Sequence, residues 1–155
     1  MPLVASDRLG TSHPAVHLSI CGDVVFHSPE MSAAAAELLS SSLQVETQAL
    51  LIGGSRLLGA LIAGNKNGIA VADLATSEDT DVLTSYGDVV VMESGINAAG
   101  NLMVVNSHGA VVSPAIPEDG RELLEDVFRV SVSSLTVAGH STLGSVIAAN
   151  DHGTL

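Results

Sequence analysis

The chain has 155 residues, 46% of them hydrophobic, and 17 Asp and Glu stand against 5 Lys and Arg for a net charge of −12. That length suits one domain, and that apolar fraction excludes a disordered or fibrous chain. The charge excludes a conventional basic-patch reader of nucleic acid, and a single cysteine, Cys21, excludes an internal disulfide and a four-cysteine zinc site.

In chain order, His13, Pro14 and His17 interrupt any apolar core in the first 20 residues, so no signal peptide is predicted. No later apolar run approaches the roughly 20 residues of a membrane span, so a soluble cytoplasmic chain is expected. His13 and His17 have the spacing of a shared helix face, but Pro14 argues against a regular helix there and so against a metal pair.

A hairpin is predicted from Val16 to Ser28 with Gly22 in its turn. Ser28-Pro29-Glu30 then opens a helix over Met31–Leu43, with Leu38, Leu39 and Leu43 on one side, and a short strand follows at Val45. Together they make a first repeat, about 13–48. The second, about 49–92, has a clearer hairpin over Gly59–Val71, turning through Asn65-Lys66-Asn67-Gly68 into a strand at Ile69–Ala72. Ser77-Glu78-Asp79 opens its helix, with Val82, Leu83 and Tyr86 inward, and Asp88–Met92 is its last strand. The third, about 93–135, repeats the hairpin over Gly100–Val112, with Asn106 and Gly109 in the turn and a second strand at Ala110–Ser113. Pro117-Glu118-Asp119 opens a helix with Leu123, Leu124, Val127 and Phe128 inward, and Arg129–Val132 is the last strand. A partial fourth repeat, 136–155, carries Gly144, Asn150 and Gly153.

The turn asparagines Asn65, Asn106 and Asn150 are spaced by 41 and 44, and so are the turn glycines Gly68, Gly109 and Gly153. Each unit reads as ββαβ. Near-continuous apolar strands predict burial on both faces, and the acids Glu118, Asp119, Glu122, Glu125 and Asp126 mark an outward helix face. Such units bury their faces only by stacking, so the expectation is a single α/β domain of propeller-like form, strands central and helices outside; a flat α/β layer is the alternative. With only Phe26, Tyr86 and Phe128 as aromatics, the core is aliphatic. One lysine, Lys66, in so acidic a chain suits a high-salt cytoplasm, or an ordinary acidic protein kept soluble by its charge.

The turn sequences resemble the archaeal and eukaryotic translation initiation factor 6 family. The residues that carry the resemblance are Gly53-Gly54-Ser55-Arg56-Leu57-Leu58-Gly59, Gly64-Asn65-Lys66-Asn67-Gly68, Ile96-Asn97-Ala98-Ala99-Gly100-Asn101, Asn106-Ser107-His108-Gly109-Ala110-Val111-Val112-Ser113-Pro114, Thr136-Val137-Ala138-Gly139 and Thr142-Leu143-Gly144-Ser145. The resemblance implies a pentein fold of five units, of which about three and a half are present. The chain then reads as a fragment, a shortened gene product, or a short relative that closes its ring with another chain.

The resemblance also implies a function. Such a factor binds the large (50S) ribosomal subunit, beside the sarcin–ricin loop and largely through a uL14-type protein, and blocks association with the small (30S) subunit. It implies no catalysis, no cofactor, no membrane and no free nucleic acid as partner. The family's Asn-Ala-Leu-Gly-Asn motif maps onto Asn97, Ala98, Ala99, Gly100 and Asn101, with Ala99 where Leu is usual, and Asn101 is the first candidate for ribosome binding. Arg56 and Asn65 are further candidates, although Gly100 and Asn65 also suit turn formation, Asn97 a local cap, and Arg56 a pair with an outer acid.

Two other functions compete. The pentein fold also hosts enzymes that modify guanidinium groups through a Cys nucleophile; Cys21 is the sole thiol available, and a buried small hydrophobe is the favoured reading of it. A repeat protein that works only as an oligomer, self-associating through open sheet edges, is the other. Elsewhere the signals are weak. Gly53-Gly54-Ser55 lacks the Gly-Lys-Ser/Thr ending of a phosphate loop, Ser40-Ser41-Ser42 is no nucleophile elbow, and His108 and His152 occupy equivalent turn positions.

Overall fold

The computed structural model describes residues 12–93 and 95–155. Its first element is one helical turn, α1 (Pro14–His17), at the place where Pro14 argued against regular helix. Proline at the first helical position loses no hydrogen bond, so one turn forms with Pro14 leading it.

Three units follow one plan. β1 (Leu18–Cys21) pairs antiparallel with β2 (Val24–His27), and β2 pairs parallel with β3 (Glu46–Ala49) after α2 (Ala33–Leu43). In the second unit a helical turn, α3 (Leu58–Leu61), leads into β4 (Ile62–Gly64), β5 (Gly68–Ala72), α4 (Ser77–Leu83) and β6 (Asp88–Met92), with the same antiparallel and parallel pairings. In the third, α5 (Ala99–Leu102) leads into β7 (Met103–Val105), β8 (Ala110–Val112), α6 (Glu118–Phe128) and β9 (Val132–Ser134). A 3-10 turn at Leu143–Ser145 and the hairpin β10 (Ala149–Asn150) and β11 (Gly153–Thr154) begin a fourth. The fold class is therefore α/β, a pentein-like propeller of ββαβ repeats.

Local chemistry explains the departures. Gly59–Leu61 and Gly100–Leu102, expected in the first strands, are instead helical turns that precede them. α2 begins at Ala33 rather than Met31, because Ser32 caps it by accepting from Ala35 N–H, while Ser28 caps a turn by accepting from Glu30 N–H. The first and third last-strands start later than predicted, at Glu46 and Val132. α2 and α6 end on Gln44 and Arg129 in the left-handed region, at φ 58° and 56°, and the chain needs further residues to return to the sheet. Val82 and Leu123 are exposed rather than inward, since each sits one position, about 100° of helix, from the buried Leu83 and Leu124. Burial on both faces holds for β2, β4 and β5, but β3 is partly exposed and β10 and β11 fully so.

The core is interleaved between units. Cys21, Val24 and Phe26 of the first unit pack with Leu50, Ile52, Leu58, Leu61, Ile69, Val71 and Leu83 of the second. The ring of Tyr86 meets Phe26 edge-on, centroids 5.3 Å apart. Ala63, Ala70, Val90 and Met92 pack in turn with Met103, Val112, Leu124 and Phe128 of the third. A side chain such as Phe128, fully buried there, contributes about 2–3 kcal/mol. The first strands pack in succession, β1 on β4, β4 on β7 and β7 on β10. Ile20, Gly64, Val105 and Ala149, one from each unit, line the same cavity. A flat layer could not bring its first and last units to one cavity, so the units curve about a common axis.

Candidate functional site

The candidate residues fall at the two ends of the axial strands. At the leading end, α1, α3, α5 and the 3-10 turn pack one on the next. Close approach is made by glycine. A Cβ on Gly100 would collide with the carbonyl oxygen of Gly59 and sit 2.8 Å from that of Ile62, and one on Gly144 would collide with the Gly100 carbonyl and sit 3.0 Å from that of Met103. Gly100 is thus a buried spacer, and Gly59, half-buried, is a spacer of the same kind.

Asn101 is the next residue of this turn. Its N–H donates to the Ala98 carbonyl at 2.9 Å, the residue is half-buried, and its amide side chain makes no hydrogen bond to the described residues. Asn97 is exposed, and with its amide turned to suit its neighbours the nitrogen donates to Asp73 Oδ2 at 2.9 Å. Arg56 pairs with Glu30. Arg56 and Asn97 are equivalent, each three residues before an axial glycine, and each reaches back to an acid of the preceding unit. The Arg56–Glu30 pair is more than half exposed at both side chains, so screening leaves it worth less than about 1 kcal/mol. Ala99 is buried at the position of Leu58 and Leu143, so its departure from Leu removes core area and no surface group.

Asn65 lies at the other end of β4, away from these four. It is buried, and its side chain is fully engaged. Nδ2 donates to the Asn106 carbonyl at 3.1 Å and the Phe128 carbonyl at 2.9 Å, while Oδ1 accepts from Asn67 N–H at 2.9 Å and Gly68 N–H at 3.2 Å. Asn106 repeats this one unit on, donating to the Asn150 carbonyl at 3.0 Å and accepting from His108 and Gly109. Ser107 adds a second link by donating its N–H and hydroxyl to Asp151, at 2.8 and 2.7 Å, and these bonds hold the Asp151 carboxyl below its ordinary range. The regular spacing of 65, 106 and 150 was the one sequence signal for this ladder; that it joins units, rather than closing turns, was not visible.

Cys21 occupies the corresponding position of the first unit. Its thiol is enclosed in the core, with Ser19 Oγ at 3.6 Å, and burial pushes its pKa up to about 12. A thiol so held is protonated at neutral pH and cannot reach a substrate. Native protein incubated with iodoacetamide at pH 8 is therefore expected to stay unmodified while unfolded protein is consumed; rapid native labelling would contradict this placement. Among the described residues, no three His, Cys, Asp or Glu side chains converge to hold a metal. No helix among them is long and apolar enough to cross a membrane.

The eIF-6 family model matches residues 7–155. Translation initiation factor 6 of Methanospirillum hungatei is 31% identical over 146 residues, covering 94% of this chain and 66% of that protein. The Methanoculleus marisnigri factor of the same name is 33% identical over 149 residues, 96% of this chain and 68% of that protein. That of Haloquadratum walsbyi is 30% identical, covering 94% and 66%. The chain thus spans about two thirds of the length of these relatives. Among solved structures, a dimethylarginine dimethylaminohydrolase adduct with S-methyl-L-thiocitrulline superposes with a TM-score of 0.50 at 16% identity, covering 77% of this chain and 48% of that one, which is a likeness of fold alone.

Proposed function

The chain belongs to the eIF-6 family, and on that premise we propose that it binds the large ribosomal subunit and prevents association with the small one. The mechanism is occupancy. Two bodies cannot share one surface, so the subunits stay apart while the factor is bound, and no bond is made or broken. The chain works in the cytoplasm, without a cofactor. Its partner is a basic large-subunit protein of the uL14 type near the sarcin–ricin loop. A net charge of −12 supports a protein partner over bare RNA, because an acidic surface is drawn to basic protein and repelled by phosphate.

The observation that carries the reading is the family match running through the leading-end turns. There the Asn101 side-chain amide makes no hydrogen bond to the described residues, with Asn97 and Arg56 beside the axis on equivalent positions. Gly100 and Asn65 serve the contact indirectly, by letting the turns approach and by joining the units. A guanidinium-modifying enzyme is disfavoured, since Cys21 is enclosed and protonated.

Sedimentation of purified archaeal large subunits with the chain, at low and at multimolar KCl, tests the proposal. Stoichiometric co-sedimentation is expected, with Asn101→Ala weakening it about tenfold while the melting temperature holds. Absence of binding at every salt concentration would remove this function from the chain.

A further inference from the structure

We infer that Asp73 is the positioning residue of the Asn97–Asn101 turn, setting the geometry in which that turn meets its partner. The inference rests on the proposed ribosome binding and adds a residue to it. The strand registers align the units: Leu18 opposes His27, Ile62 opposes Val71 and Met103 opposes Val112. Two residues further on stand Pro29, Asp73 and Pro114. The repeat thus carries proline at this position in the first and third units and aspartate in the second.

The exchange has a physical consequence. Proline has no N–H and no side-chain acceptor. Asp73 has both, and spends both on the turn of the next unit. Its N–H donates to the Ile96 carbonyl at 3.3 Å, and its carboxylate accepts from the Asn97 amide. These two bonds fasten the segment just before Ala98, whose carbonyl in turn accepts the Asn101 N–H. Neither neighbouring unit can make this pair of bonds. Asp73 is half-buried and lies in the loop after β5, anchored by a strand that is wholly in the core. A rigid element therefore holds an otherwise exposed asparagine, which is how a binding group is kept in its productive orientation.

The test compares the unaltered chain with Asp73→Pro, Asp73→Ala, Asp73→Asn, Asn97→Ala and the double variant D73A/N97A. Affinity for purified large subunits is titrated, and exchange of the Asn101 amide is followed by NMR. Asp73→Pro and Asp73→Ala are expected to weaken binding about three- to tenfold and to speed Asn101 exchange, with melting little changed. Asp73→Asn keeps the N–H and an acceptor oxygen, and is expected to stay within about twofold of the unaltered chain. Asp73→Ala should add nothing on top of Asn97→Ala, since the carboxylate acts through that amide. Binding and exchange unchanged in both Asp73→Pro and Asp73→Ala would overturn the inference, as would Asp73→Asn behaving like Asp73→Pro. If the unaltered chain does not bind, the proposed function falls while the exchange measurements still decide whether Asp73 positions the turn.

Discussion

Gly59→Ala is expected to destabilise the fold by at least about 3 kcal/mol and to lower its melting temperature by roughly 6–12 °C. The new methyl would collide with the carbonyl oxygen of Ala15 and sit 2.6 Å from that of Leu18. Both are backbone atoms of the adjoining unit, so no side chain can rotate away, and relief requires α1 and α3 to separate. That separation would in turn loosen β1 from β4 and the apolar layer between them. Gly153→Ala is the control. Nothing lies within 4 Å of a Cβ there and the residue is exposed, so its change should stay within about 0.5 kcal/mol. Thermal and denaturant unfolding of both variants measures the difference, and equal stabilities would mean that the axial turns do not approach as described.

Asn65→Ala is expected to cost about 2–4 kcal/mol in denaturant unfolding. The substitution removes four hydrogen bonds from a buried site and leaves the Gly68 N–H without its side-chain acceptor. Asn65→Asp sharpens the point. It is nearly isosteric and keeps the acceptor oxygen, yet it faces a carboxylate toward the Asn106 and Phe128 carbonyls, where an amide nitrogen now donates. Burying that charge against two acceptors should make it at least as damaging as alanine at neutral pH. An Asn65→Asp variant as stable as the unaltered chain would show that the asparagine ladder does not join the units.

The repeat could be read from spacing alone, because turn chemistry is local: Asn65, Asn106 and Asn150 accept from the N–H groups two and three residues on, wherever the unit sits. What spacing could not supply was the reason for the axial glycines. Gly59 and Gly100 looked like strand boundaries, and their need for close approach comes from a neighbour more than 40 residues away in sequence. The starts of β3 and β9 were misplaced because Gln44 and Arg129, not glycine, end the preceding helices in the left-handed region and give no composition signal. At the candidate site, Asn97, Gly100 and Asn101 were legible through family resemblance. Asp73 was not, since its role lies in bonds between units, although its contrast with Pro29 and Pro114 is present in the aligned repeats.

Under the proposed function, the chain keeps the subunits apart by occupying the large one. Mixing large and small subunits and following their joining by light scattering, with increasing amounts of the chain added to the large subunits first, measures that directly. The expected result is joining that falls in proportion to the fraction of large subunits occupied, restored when Asn101→Ala replaces the unaltered chain at the same concentration. Large subunits saturated with the chain that still join small subunits at the normal rate and extent would contradict it.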